Sequence, residues 1–310
     1  MCEEQLECKI DPNKHNQWAI GQRMAGIKHK IFVMSNKGGV GKSTVTVNLG
    51  ATLAQMGRKV GIADADVHGP NIPKMLGVEG KRLCTGKNGI EPLELSPNLK
   101  VASLSFLIER PDEPIAWRDS AKYDFLCELM GTVNWGELDY LIIDLPPGTG
   151  NEVISLTELI DNVSGSVIVT TPQDVVLLDV RKAVLFSRDS NVRVIGIIEN
   201  MSGLSCPHCG ENIDVFKTGG GKKIAAELGT TLLGTIPLDP QIAEYCDDGK
   251  AFACSSDSKA AKAFKEIVVK CEKFVTENTG PTIKLPFFKE PIPIDPELAK
   301  EQGTGTKYYR

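Results

Sequence analysis

A chain of 310 residues, 41% of them hydrophobic, can bury the core of one large α/β unit with tails at its ends. Its net charge of −5 argues against a general nucleic-acid surface, which needs a basic footprint. No apolar run reaches membrane-spanning length and the start, Met1-Cys2-Glu3-Glu4, is acidic, unlike a signal peptide, so a cytoplasmic protein with no membrane partner is expected.

In chain order, residues 1–28 are polar and weakly patterned and read as an N-terminal extension. Apolar, β-rich runs follow at 31–34, 59–63, 99–106, 140–143, 166–170, 192–198 and 232–236. Helical stretches fall between most of them, at 42–56, 121–133, 152–160, 175–188 and 222–228, and a last helix at 259–276. Near-continuous apolar strands alternating with helices predict an α/β fold, a doubly wound and mainly parallel sheet with helices on both faces, over 29–276. Beyond it Pro281, Pro286, Pro291, Pro293 and Pro296 break up the tail, 277–310, which is not expected to add a core element.

The run Ser35-Asn36-Lys37-Gly38-Gly39-Val40-Gly41-Lys42-Ser43-Thr44 joins the first strand to the first helix. Gly41, Lys42 and Ser43 fit the phosphate-loop pattern G-x-x-x-x-G-K-[ST], with Asn36 in place of its first glycine. Asn enters left-handed backbone space more readily than most residues. Loop amides and a helix N-terminus aimed at one point make an anion cradle, so Gly38, Gly39, Val40, Gly41, Lys42, Ser43 and Thr44 are candidate nucleotide-binding residues. Lys37 is a second cation in the loop, placed to contact phosphate in its own subunit or across a dimer.

Asp64 and Asp66 end the second strand two residues apart, facing one way if the backbone is extended. Carboxylates beside a phosphate loop suit Mg²⁺, directly or through its waters, and the positioning of attacking water. Four apolar residues, 140–143, lead to Asp144, which puts another carboxylate at a strand end near the phosphates, followed by Pro146-Pro147-Gly148-Thr149-Gly150.

The chain carries nine cysteines, which in a reducing compartment point to metal or redox chemistry rather than a disulfide framework. Cys2 and Cys8 lack a tight chelating spacing. Cys206-Pro207-His208-Cys209 is a C-x-x-C pair, suited to an iron–sulfur cluster, to zinc or to a redox dithiol. One pair per chain supplies four thiolates when two copies meet about an axis, which predicts a site bridging a homodimer.

Together these motifs are recognisable. The Lys37 to Ser43 loop resembles the deviant Walker A of the MinD/ParA-like P-loop ATPases. Within that class, the runs beginning at Asp66, Asp144, Thr171, Glu199 and Cys206, with Gly219-Gly220-Gly221 and Ile236-Pro237-Leu238-Asp239, resemble the Mrp/ApbC iron–sulfur cluster carriers over residues 28–275. The resemblance implies a homodimeric, cytoplasmic ATPase that binds ATP, Mg²⁺ and a [4Fe–4S] cluster and passes the cluster to apo-proteins. It implies that Lys37 reaches the partner's nucleotide and that Lys42 and the loop amides bind phosphates. Ser43 would ligate Mg²⁺ with support from Asp144, and Asp66 would position water. Asn200 and Pro237 would hold adenine, and Cys206 and Cys209 the cluster. Asn151 stands where the family often has Asp, and Phe216-Lys217-Thr218 departs from its usual lead into the glycine triplet. Two other functions share these motifs: a positioning ATPase of the MinD/ParA type, and an ATP-driven electron donor resembling nitrogenase reductase.

Overall fold

The computed structural model describes residues 12–107, 117–205, 209 and 211–280. Its elements in order are α1 (Pro12–Ala25), β1 (Ile27–Met34), α2 (Lys42–Gln55), β2 (Val60–Asp64), α3 (Ile72–Met75), β3 (Cys84–Gly86), β4 (Gly89–Glu91), β5 (Leu93–Ser96) and β6 (Leu99–Ser103). Then come α4 (Asp119–Gly131), β7 (Leu138–Asp144), α5 (Asn151–Leu159), β8 (Gly165–Thr170), α6 (Asp174–Asp189), β9 (Val194–Glu199), β10 (Leu204–Ser205) and β11 (Asn212–Ile213). The last are α7 (Gly220–Glu227), β12 (Leu232–Thr235), α8 (Pro240–Asp247), α9 (Phe252–Ser255) and α10 (Lys259–Glu277).

One sheet has the order β12-β9-β8-β1-β7-β2-β6-β5. All its pairings are parallel except that of the edge strand β5 with β6. Successive strand side chains point to opposite faces, and here both faces are apolar. Ile31 and Val33 of β1 join the cluster formed with α2, α9 and α10, which includes Leu49, Phe252 and Phe264. Phe32 and Met34 join the opposite cluster with α1, α4 and α5, which includes Ile20, Leu126 and Leu156. Helices α6 and α7 extend that second face over Ile168 and Ile197. The doubly wound, mainly parallel sheet read from the sequence is therefore the fold.

Differences lie where a residue's environment, not its neighbours in sequence, decides. Helix α1 falls in the stretch 1–28. Its buried hydrophobics are Ile20 and Met24, one turn apart, too few to carry a periodic signal. The strand expected over 99–106 ends at Ser103, where Leu104–Phe106 turns into a short 3₁₀ helix and the Ser103 hydroxyl accepts from Ser105 N at 3.3 Å. The β3–β4 hairpin pairs two three-residue strands of exposed to half-buried residues. Cys2, Cys8 and tail residues 281–310 lie outside the described residues.

The register sets the site. Val33 and Asp64 both pair with Asp144, so β1, β2 and β7 end side by side at the C-terminal edge of the sheet. The strand order runs outward in both directions from β1, and ligands of open α/β sheets bind at such a point.

Candidate functional site

The loop after β1 turns twice through left-handed backbone, at Gly39 (φ 80°) and Gly41 (φ 86°), and Gly41 is the N-cap of α2. Gly41 has a second constraint: a Cβ there would stand 2.2 Å from Asn200 Nδ2. The Asn200 side chain donates to Val40 O at 2.9 Å and its backbone N–H donates to Thr170 O at 2.7 Å, so the end of β9 is pinned against the loop. Asn36 donates through Nδ2 to Asp179 Oδ1 of α6 at 3.0 Å. Gly148 N donates to Ser35 O at 2.8 Å, which joins the loop after β7 to the loop after β1.

Asp144, fully buried, is the centre of the polar network. Its Oδ2 accepts from Lys42 Nζ and from Ser43 Oγ, both at 2.7 Å, and its Oδ1 accepts from Thr46 Oγ1 at 2.5 Å. Lys42 Nζ also lies 3.2 Å from Asp66 Oδ2. Burial alone would lower the lysine's pKa; Asp144 and then Asp66 outweigh it and hold the ammonium above its ordinary range. Asp64 sits behind this pair, fully buried, accepting from Ser103 Oγ at 2.9 Å and from Asp66 N at 3.3 Å. Burial, then the neighbouring Asp144 carboxylate, push the Asp64 carboxyl well above the usual carboxylate range.

Of the residues singled out from the sequence, the fold gathers Lys42, Ser43, Asp66 and Asp144 into one set of contacts, with Asp64 beside it. Lys37, Gly38 and Gly39 are exposed on the loop, Val40 is buried and Thr44 half-buried at the start of α2. Asn200 contacts the loop. Half-buried Pro237 follows Ile236, whose carbonyl accepts from Ser202 N at 2.9 Å, so the Pro237 and Asn200 segments run together. The ribbon β10–β11 pairs Leu204 with Ile213, and exposed Cys209 lies on its connection. Cys206 lies outside the described residues.

Three participants have no role assigned from the sequence, although Glu199 opens one of the family-like runs. Thr46 lies one helical turn beyond Lys42, on the same face of α2, and that spacing was the available signal. Buried Glu199 accepts from the backbone N–H groups of Gly219, at 3.1 Å, and Gly221, and from Ser202 Oγ, satisfying the first turn of α7. Glu152, at the start of α5, lies 2.8 Å from Lys122 Nζ and 3.3 Å from His68 Nε2.

A half-buried hydroxyl in the first turn of α2 beside a buried carboxylate at the end of β7 fits Mg²⁺, which takes few protein oxygens and keeps several waters. Ser43 and Asp144 are that pair. Among the described residues no group of three or more His, Cys, Asp or Glu is arranged to hold a metal ion.

The model of the ParA family described as NUBPL iron-transfer P-loop NTPase matches residues 26–272. A protein of Methanocaldococcus jannaschii described as an iron–sulfur cluster carrier protein is 48% identical over 249 residues, 80% of this chain and 86% of that one. One of Saccharolobus solfataricus with the same description is 47% identical over 260 residues, 84% of this chain and 88% of that one. Among solved structures, a nucleotide-binding protein of Archaeoglobus fulgidus in complex with ADP superposes with a TM-score of 0.69 at 36% identity, covering 80% of this chain and 96% of its own. The MinC:MinD cell division complex of Aquifex aeolicus superposes at 0.57 with 21% identity, over 79% of this chain and 96% of that chain, a likeness of fold alone.

Proposed function

This chain belongs to the ParA family of NUBPL iron-transfer P-loop NTPases, and on that premise we propose that it is an ATP-hydrolysing iron–sulfur cluster carrier that works as a homodimer. The observation that carries the ATPase half is the convergence of Lys42, Ser43 and Thr46 on buried Asp144 at the mouth of a glycine loop. The carrier half rests on relatives described as cluster carriers and on the single Cys206/Cys209 pair.

In this reading the loop 37–44 wraps the phosphates with its backbone N–H groups, and Lys42 exchanges its carboxylates for phosphate oxygens. Mg²⁺, when bound through Ser43 and supported by Asp144, neutralises charge on those oxygens. Asp66, released from Lys42, orients the attacking water, while Asn200 and Pro237 border the base. Exposed Lys37 reaches the nucleotide of the second copy. The [4Fe–4S] cluster is cargo, held by Cys206 and Cys209 from each of two copies and handed to apo-proteins whose own thiolates replace them. The unit doing this work, read from the sequence as 29–276 between an extension and a Pro-rich tail, runs from β1 to α10 with Ile20 and Met24 of α1 packed into its core.

The test is anaerobic reconstitution with iron and sulfide, read by absorption and Mössbauer spectra, with Cys206→Ala and Cys209→Ala as controls. A [4Fe–4S] signature lost in both variants, followed by activation of apo-aconitase, is the expected result. A colourless protein holding stoichiometric zinc, or loaded protein that activates no acceptor, overturns the carrier reading.

A further inference from the structure

Glu152 is a carboxylate that neither the phosphate loop nor the cysteines account for. It stands in the first turn of α5, two residues beyond Gly150, with its side chain only 13% exposed. Its Oε1 accepts from Lys122 Nζ of α4 at 2.8 Å. Lys122 is also well covered and lies 3.5 Å from Asp119 Oδ1. A covered carboxylate with one covered counter-ion is a structural ion pair, and helices α4 and α5 pack side by side around it. With the lysine in place its pKa is held below the ordinary glutamate value although burial pushes the other way. Stability of the α4–α5 contact would need no more than this.

The same Oε1 also meets His68 Nε2 at 3.3 Å. His68 lies on the loop between β2 and α3, and half of its side chain is exposed. Its backbone N–H donates to Asp66 Oδ1 at 3.2 Å. Asp66 Oδ2 in turn lies 3.2 Å from Lys42 Nζ. The loop carrying Asp66 is thus held at two places: on one side by the phosphate-loop lysine, on the other by a carboxylate that α4 and α5 fix in position.

These two anchors differ in what a bound nucleotide does to them. Phosphate oxygens compete directly for Lys42. They do not compete for Glu152, which contacts neither Lys42 nor the loop 37–44. We propose that Glu152 is a positioning residue for ATP hydrolysis: through His68 it holds the 66–71 loop so that Asp66 keeps its place when Lys42 turns to phosphate. The inference rests on the ATPase reading above and adds to it a residue that touches no nucleotide.

The experiment measures steady-state ATPase kinetics and binding of a fluorescent ATP analogue for wild type, Glu152→Ala, Glu152→Gln, His68→Ala and the double alanine variant. A small displacement of a positioned group costs rate rather than affinity, so Glu152→Ala should lower kcat by about tenfold while KM and analogue binding move less than about twofold. Glu152→Gln keeps an oxygen that accepts from Lys122 and faces His68 Nε2, and should retain most of the rate. His68→Ala should match Glu152→Ala, and the double variant should lose no more than either single one, because both break the same contact. Hydrogen exchange over 66–71 should speed up in both single variants. Should Glu152→Ala fail to fold, half-exposed His68 carries the same test.

Wild-type rates in His68→Ala and Glu152→Ala overturn the positioning role and leave the ATPase reading standing. Losses that multiply in the double variant also overturn it. A wild-type protein that binds the analogue without turnover overturns the ATPase reading itself.

Discussion

Replacing Lys42 by Met should unfold the protein more easily before any question of nucleotide arises. The variant keeps the length and apolar stem of the side chain and removes the charge. Lys42 is 6% exposed and is the cation that faces three acidic residues: Asp144 at 2.7 Å, Asp66 at 3.2 Å and Asp64 behind them. Removing one partner of a buried ion pair leaves an uncompensated charge and costs about 3–5 kcal/mol. At about 2–4 °C per kcal/mol for a domain of roughly this size, the melting temperature should fall by roughly 6–20 °C. The measurement is thermal and urea unfolding at pH 7.5 without added nucleotide. A second variant, Lys42→Met with Asp144→Asn, removes the orphaned charge and should recover more than half of the loss, since the Asn oxygen still accepts from one of the Thr46 and Ser43 hydroxyls and its NH₂ can donate to the other. A single variant that melts within about 2 °C of wild type, or a double variant no better than the single one, would refute the view that these carboxylates depend on Lys42.

Gly41→Ala combines a left-handed φ of 86° with a Cβ 2.2 Å from Asn200 Nδ2, and should destabilise by about 2–3 kcal/mol in urea unfolding, from backbone strain plus the lost Asn200–Val40 bond. Adding Asn200→Ala should cost less than the two effects summed, because the clash partner is gone. Asp64 has a folded-state pKa raised above the unfolded value, so the stability linked to its proton is present at low pH and is lost as pH rises through the folded pKa. Asp64→Asn should therefore raise the melting temperature at pH 8 and lose that advantage as the pH falls toward the ordinary aspartate range; a gain that is larger at acid pH contradicts the assignment. Cys209→Ser should abolish cluster loading while analogue binding stays within about twofold of wild type, because the thiol is exposed on a ribbon separate from the loop 37–44.

How much of this was readable in advance depended on how local each feature is. The phosphate loop is ten consecutive residues between a strand and a helix, so its glycines, Lys42 and Ser43 are visible without tertiary structure. Strands β1, β2, β7, β8 and β9 were visible because both sheet faces are covered, which makes them nearly continuous apolar runs. The partners that complete the site were not. Thr46 is a threonine in a helix like any other until Asp144 arrives from 98 residues away. Asn36, the departure from the usual loop pattern, acquires a reason only when α6 brings Asp179 to within 3.0 Å. The hairpin at β3 and β4 has neither a long apolar run nor a clean alternation, and pairing across Gly86 and Gly89 alone reveals it.

The two lysines of the loop illustrate the same point in chemical terms. In the sequence Lys42 fills the lysine position of the phosphate-loop pattern, and Lys37, five positions earlier, is an extra cation that could serve its own subunit or a partner. In the fold Lys42 is covered, held by Asp144 and Asp66, and its reach is confined to its own chain. Lys37 is exposed at the turn, where its backbone carbonyl accepts from Ser35 Oγ at 3.0 Å and its side chain is left on the outside of the molecule. A cation anchored only by its backbone is free to act on whatever approaches the loop, and in the homodimer proposed above that would be the nucleotide of the second copy. Lys37→Ala should then leave analogue binding by the isolated chain intact and remove the dependence of the ATPase rate on protein concentration. Concentration-dependent hydrolysis that survives the substitution would place the cross-subunit contact on another residue.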